Sequence, residues 1–128
     1  MAKISDLGCS TRIDRKDKLT VGVGSPLWMA PEVVISSNYS FPSDIYSFGV
    51  VAYEVQNEKL PVFDKESRCA IIPEESIGYQ LISLCTHRDP ESRPPADELI
   101  TIYTQGSIHI VTHISYRQIY PFGRKKSD

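Results

Sequence analysis

The chain has 128 residues, of which 41% are hydrophobic and 23% are charged, and its formal net charge is −2. These values are typical of a globular domain and exclude a disordered tail. Neither nucleic acid as the main partner nor a membrane span is indicated, because the charge is balanced and no apolar run approaches ~18 residues. The three cysteines form no Cys-x-x-Cys pair, which favours reduced thiols inside a cell over a disulfide framework.

The amino end predicts a short strand over residues 1–5, in which Ile4 alternates with polar neighbours. Asp6, Leu7 and Gly8 follow it directly. An acid between a strand and a turn glycine suits an aspartate that is presented rigidly to a cation, since Mg²⁺ prefers carboxylates together with phosphate oxygens. The plain alternative is an aspartate that only shapes the turn. Residues 9–24 are polar and without period, so we predict a long loop there.

The stretch from Gly24 to Glu32 contains the only tryptophan of the chain, Trp28. Pro31 and Glu32 predict a helix start, because proline suits the first helical position and an acid suits the positive end of the helix dipole. The residues before them form a loop. We interpret this stretch as a loop that docks on a platform anchored by Trp28, where a peptide can be held. The alternative is an ordinary surface loop that leads into a core helix.

The next predicted element is a helix over residues 45–55, capped by Ser43 and Asp44. Its residues are almost all apolar, which is typical of a central helix that packs against other elements on several sides. Gly49 in its interior costs about 1 kcal/mol relative to alanine, and this indicates that another backbone packs close to it.

Beyond the central helix, residues 60–63 predict an extended apolar segment and residues 64–76 a polar loop. Residues 77–85 have the spacing of a helix with one apolar face. Another helix begins at Pro95, which is followed by two acids.

Arg93 lies between a serine and two prolines, in a turn over residues 87–95. Such a rigid arginine suits a bidentate pair with a buried carboxylate. From residue 104 onward the pattern becomes β-branched and alternating, and then basic, so we predict a strand-like tail.

Taken in order, these stretches resemble the C-terminal lobe of a eukaryotic-type protein kinase of the serine/threonine or tyrosine-kinase-like group. Four motifs carry the resemblance. Lys3–Gly8 resembles the metal-binding Asp-Phe-Gly segment, with leucine in place of phenylalanine, and Gly24–Glu32 resembles the loop that ends in Ala-Pro-Glu. Asp44–Val50 resembles the central helix, and Cys85–Pro94 resembles the Cys…Asp-Pro-x-x-Arg-Pro ending. The resemblance covers about 100 residues.

The fold that the resemblance implies is mainly α. We expect a partial kinase domain at residues 1–102, with a short strand, a long activation loop, a central buried helix and two further helices. Residues 103–128 match nothing in the family and are expected to be an unrelated strand-like or disordered tail. One side of the central helix is expected to face water, because the neighbours that the family packs there lie upstream.

The resemblance also implies roles for single residues near the amino end. Asp6 would hold the Mg²⁺ that bridges the phosphates of ATP, and Gly8 would be the turn glycine beside it. Residues 9–24 would be the activation loop, where an upstream kinase could phosphorylate Thr20, Ser25 or Thr11. Thr20 is the better of these phosphosites, because Ser25 occupies the family's hydroxyl position that meets the catalytic aspartate.

Further roles concern the docking of a protein substrate. Ser25, Pro26, Leu27 and Trp28 would dock it, and their pattern resembles the serine/threonine-specific form of this loop rather than the tyrosine-specific form. Glu32 and Arg93 would form a buried ion pair that fixes the docking loop. Asp44 would brace the catalytic loop through backbone N–H groups.

The family also needs a glycine-rich loop, a lysine for ATP, and a catalytic loop with a base aspartate and an asparagine. This sequence contains none of them, so no catalytic residue is assigned. We therefore expect a truncated piece of a cytoplasmic protein serine/threonine kinase that uses ATP and Mg²⁺ by family and is inactive alone. The alternative is a non-catalytic, pseudokinase-like module that binds another protein, and a third reading is a structural fragment without function.

Overall fold

The computed structural model describes residue 1, residues 3–7, residue 10 and residues 25–104. The elements in chain order are α1 (Pro31–Ser36), α2 (Phe41–Asn57), β1 (Val62–Asp64), β2 (Cys69–Ile71), α3 (Tyr79–Cys85) and α4 (Ala96–Thr104), with a 3₁₀ turn at Pro90–Ser92. This part of the chain is thus mainly helical, as expected. α4 includes the first two residues of the tail that was predicted to begin at residue 103, and the rest of that tail lies outside the described residues.

Residues 1 and 3–5, the described part of the strand predicted over residues 1–5, form no strand. Residues 3–6 have no regular secondary structure, and Ile4 is 92% exposed. A strand needs a neighbour for its backbone hydrogen bonds, and in the part of the chain that the structure describes the only strand pairing is β1 with β2. Asp6 adopts a left-handed backbone conformation with φ of 59°.

The central helix begins four residues earlier than predicted. Ser40, not Ser43, is the N-cap of α2, and its backbone N–H donates to the Ser43 hydroxyl in a reciprocal capping arrangement. Pro42 is tolerated because the first turn of a helix needs no backbone N–H donor there. The prediction failed because Ser43 and Asp44 also have the residue types of a good cap.

α2 packs against the rest of the structure on one side only. Tyr46, Val50 and Tyr53 are at most 2% exposed, whereas Phe48, Val51 and Val55 are 45–71% exposed. The apolar sequence of the helix therefore contains one side that is covered by the described residues and one that is not.

Another part of the chain approaches α2 closely at Gly49. A Cβ atom added there would lie 2.6 Å from the Cβ of Cys85 and 2.8 Å from Cγ2 of Thr86. This confirms the expectation that another segment packs closely at the glycine, and it identifies that segment as the end of α3.

The small sheet is a hairpin that the sequence analysis missed. β1 and β2 are antiparallel, with Phe63 opposite Ala70. Asp64 caps the turn by accepting the N–H groups of Glu66 and Ser67, both at 3.1 Å. Residues 64–76 were predicted as loop because a three-residue strand is too short to show alternation.

The hairpin is tied to α2 through Tyr46. The backbone N–H of Ala70 donates to the hydroxyl oxygen of Tyr46 at 2.8 Å. Burial raises the pKa of the Tyr46 hydroxyl, although the Ala70 N–H acts in the opposite direction. The phenol therefore stays neutral and fixes the position of β2 relative to the helix.

Candidate functional site

Residues 25–29, here called the Trp28 segment, form a turn in front of α1. The N–H of Trp28 donates to the carbonyl of Ser25 at 3.1 Å, and the N–H of Met29 donates to that of Pro26 at 3.3 Å. Ser25 and Pro26 are exposed. Half-buried side chains of the segment pack against a core cluster of Ala30, Val33, Tyr46, Val50 and Ala70. The segment thus has an anchored apolar part and an open polar part.

The pair expected between Glu32 and Arg93 is present in the structure and is bidentate. Nη1 of Arg93 donates to Oε1 of Glu32 at 2.7 Å, and Nη2 donates to Oε2 at 2.8 Å. The side chain of Arg93 is fully buried and that of Glu32 is 12% exposed. Since Glu32 is in the first turn of α1, the pair joins the end of the Trp28 segment to the chain between α3 and α4.

Arg93 also donates to three main-chain carbonyls that the sequence analysis did not predict. Its remaining hydrogen bonds go to Pro42 (2.9 Å), His87 (2.7 Å) and Arg88 (3.2 Å). A guanidinium group carries five N–H donors, and with these bonds all five are used. Burying an arginine costs free energy because the charge leaves water, and here the carboxylate and an acceptor for every donor offset that cost.

The electrostatics of the pair keep Glu32 ionised. Burial raises the pKa of its carboxyl, but the hydrogen bonds and charge of Arg93, with a further hydrogen bond from Ser43, lower it below its ordinary value overall. The Ser43 hydroxyl donates to Oε1 at 3.1 Å. The guanidinium carbon of Arg93 also lies 5.0 Å from the centroid of the Tyr46 ring, within the range of a cation–π interaction.

Two polar side chains of α2 contact Trp28, and neither was predicted. The Ser47 hydroxyl donates to the main-chain carbonyl of Trp28 at 2.7 Å, and the indole N–H donates to Oε2 of Glu54 at 3.4 Å. A signal was present in the sequence, since both residues are polar within the otherwise apolar stretch of residues 45–55. Their partner could not be read from it, because it is 19 and 26 positions away along the chain.

Asp6, the predicted metal ligand, forms no hydrogen bond with Glu32 or Arg93 in the described part of the chain. Asp6 is exposed, and the part of the chain that the structure describes contains no group of three or more His, Cys, Asp or Glu residues arranged around a metal site. The Asp6 carboxylate is accessible and is a suitable ligand for an Mg²⁺ ion whose other ligands include phosphate oxygens. Gly8, Thr11 and Thr20 lie outside the described residues.

Asp44 is exposed in the first turn of α2. It lines a groove of about 510 Å³ together with residues such as Phe41, Ile45 and Pro94. Asp44 is therefore accessible to another segment of protein. None of the helices in the described ranges is long and apolar enough to cross a membrane.

Comparison with known proteins gives consistent matches. The family model described as the protein kinase domain matches residues 1–103. A probable serine/threonine-protein kinase of Dictyostelium discoideum is 29% identical over 116 residues, which cover 80% of this chain and 13% of that protein. The serine/threonine-protein kinase 4 homolog A of the same organism is 31% identical, covering 77% of this chain and 25% of the relative.

A human relative, the tyrosine-protein kinase TXK, is 31% identical over 120 residues, covering 82% of this chain and 23% of that kinase. The chain thus spans about a tenth to a quarter of the length of the curated relatives it matches.

Proposed function

Because the chain belongs to the protein kinase family, we propose that it is part of the C-terminal lobe of a kinase that phosphorylates serine and threonine hydroxyls of proteins. In this proposal residues 1–102 are the kinase portion and residues 103–128 an additional tail. The similarity to two serine/threonine kinases supports this acceptor class. The protein would act in the cytoplasm, on protein substrates and under an upstream kinase.

The observation that carries the proposal is the bidentate pair of Glu32 and Arg93. It fixes the first turn of α1, which follows the Trp28 segment, to two other parts of the chain through a buried group whose donors are all used. A site on rigid supports holds a ligand in one geometry. The exposed residues Ser25 and Pro26, next to the anchored Leu27 and Trp28, are therefore proposed to dock the substrate peptide.

The remaining roles follow from the family. Asp6 is proposed to hold Mg²⁺ at the ATP phosphates, where the ion neutralises charge that develops during transfer. Thr20, Ser25 and Thr11 are proposed phosphosites in an activation loop formed by residues 9–24. Asp44 is proposed to brace a catalytic loop, and its exposed position beside the groove is compatible with that role.

The one His-Arg-Asp triplet of the sequence, at residues 87–89, lies within the Cys85–Pro94 motif and has Pro94 where the family's catalytic loop carries asparagine, so it does not provide the family's base. We therefore propose that these 128 residues alone do not transfer phosphate. They would need a polypeptide that carries the ATP lysine and the catalytic loop. The chain itself would contribute the substrate platform and one metal ligand.

The test is a phosphate-transfer assay with labelled ATP and Mg²⁺ on serine, threonine and tyrosine peptides. We expect no transfer by the chain alone. Transfer to the serine and threonine peptides is expected after fusion to the amino-terminal portion of a related kinase. Asp6→Asn should abolish the transfer, whereas Glu75→Gln, at an exposed position between β2 and α3, should leave it unchanged. Transfer by the chain alone would overturn the proposal that it needs a polypeptide with the ATP lysine and the catalytic loop.

A second function has its own supporting observation. Phe48, Val51 and Val55 form an exposed apolar side of α2, which favours a non-catalytic module that binds another protein. The same fusion separates the two functions. A fused protein that folds but does not bind Mg²⁺·ATP would favour the binding module.

A further inference from the structure

The principal hydrogen-bond acceptor of the Ser47 hydroxyl lies outside its own helix. A serine inside a helix commonly donates to the carbonyl four residues before it. In α2 that carbonyl belongs to Ser43 and lies 3.3 Å from the Ser47 hydroxyl oxygen, whereas the carbonyl of Trp28 lies at 2.7 Å. A hydroxyl has one proton to donate, so the shorter contact, outside the helix, is the principal bond.

The same tryptophan is held at its other end by the same helix. Its indole N–H donates to Glu54, seven residues after Ser47. Seven residues are about two helical turns, or roughly 10 Å along the axis, and they bring both side chains to the same face. The main chain of Trp28 is thus attached at one level of α2 and the tip of its indole ring at another.

We propose that Ser47 is a positioning residue for the Trp28 segment. By holding the carbonyl of Trp28, Ser47 fixes the position of the Trp28 backbone along α2. From that position the indole N–H reaches Glu54. The exposed residues Ser25 and Pro26 are one turn away, because the N–H of Trp28 bonds to the carbonyl of Ser25. The consequence for a docked peptide rests on the proposed function, while the contact itself does not.

Trp28 provides a direct measurement, since it is the only tryptophan in the chain. In the 128-residue protein, Ser47→Ala is expected to shift the tryptophan emission to longer wavelength and to increase its quenching by acrylamide. Ser47→Thr keeps a hydroxyl and is expected to restore both values. The matched control is Ser83→Ala, because the Ser83 hydroxyl donates to the carbonyl of Gln80 within α3.

Circular dichroism separates this local change from unfolding. If Ser47→Ala loses helical signal, Ser47→Cys replaces it as a side chain of similar size with only a weak donor. That variant is expected to show the same emission shift with the helices intact. Emission equal to that of the parent in the folded alanine or cysteine variant would overturn the proposal, as would a threonine variant that behaves like alanine.

The outcome is independent of whether the proposed function is correct. A fused kinase that fails to transfer phosphate leaves the emission result unchanged. In an active fusion, Ser47→Ala is expected to raise KM for the peptide more than it lowers kcat, because the phosphate-transfer groups are untouched. An altered emission spectrum with unaltered KM would retain Ser47 as the positioning residue and remove the Trp28 segment from substrate docking.

Discussion

Arg93 binds both carboxylate oxygens of Glu32 across 61 positions of the chain. The side chain of Arg93 is fully buried, and its other N–H groups donate to carbonyls at the start of α2 and before α4. One side chain therefore joins three parts of the protein that are distant in sequence.

Replacing Arg93 with alanine is expected to lower the free energy of unfolding by ~3–5 kcal/mol, because Glu32 would remain charged and unpaired beside the core. Urea denaturation monitored by circular dichroism measures this loss. Arg88→Ala is the control, since that side chain is exposed in the same turn. An Arg93→Ala variant with the denaturation midpoint of the parent would show that the pair does not stabilise the fold.

The pair also predicts a dependence of stability on pH. The pKa of Glu32 in the folded protein is below its ordinary value of 4.5, because burial, which raises it, is outweighed by the hydrogen bonds that the carboxylate accepts from Arg93, the backbone and Ser43 together with the charge of Arg93. Its stabilising contribution is therefore complete above that ordinary value and is lost as the pH falls through the folded-state pKa. We expect Glu32→Gln to be less stable than the parent at pH 7, with the difference shrinking under acid conditions. Denaturation midpoints across this range provide the measurement, and a constant difference would contradict the prediction.

Gly49→Ala is expected to destabilise the protein although alanine favours helices. The gain in helix propensity is about 1 kcal/mol. Against this, the new methyl group would meet Cys85 and Thr86 at 2.6 and 2.8 Å, and overpacking of this kind costs about 1–3 kcal/mol. Val55→Ala, on the exposed side of the same helix, controls for changes in propensity. A thermal midpoint above that of the parent would mean that α3 moves away without cost.

The two described cysteines are expected to differ in reactivity. Burial raises the pKa of the Cys85 thiol to about 12, while Cys69 is only half-buried. Since the thiolate is the reactive form, iodoacetamide at pH 8 should modify Cys69 well before Cys85 in the folded protein. Peptide mass spectrometry at successive times measures the order. Equal rates in urea would verify that the fold causes the difference.

The sequence was most informative where a residue type had one physical explanation. An apolar helix around Gly49 implied close packing, and a rigid Arg93 implied a carboxylate partner; the structure contains both. The start of α2 was misplaced because Ser40 and Ser43 are equally good caps. The hairpin was missed because its strands are three residues long, and pairing rather than pattern defines them.

In the candidate site, the sequence predicted a contact between two side chains but not the contacts between side chains and the main chain. The rigid position of Arg93 indicated a carboxylate partner, and the family resemblance identified that partner as Glu32. The hydrogen bonds from Arg93 and Ser47 to main-chain carbonyls could not be predicted from residue types, because every residue carries the same carbonyl group. Contacts of this kind depend on where the backbone lies in three dimensions, which a single sequence does not specify.

The separation between Glu32 and Arg93 also has a consequence for the time at which the Trp28 segment becomes ordered. At a synthesis rate of about 5–20 residues per second, Arg93 is made roughly 3–12 s after Glu32. During that interval the carboxylate has no guanidinium partner, and closing so long a loop carries an entropic cost. The Trp28 segment is thus expected to take its final position late in folding, after α1 and α2 have formed.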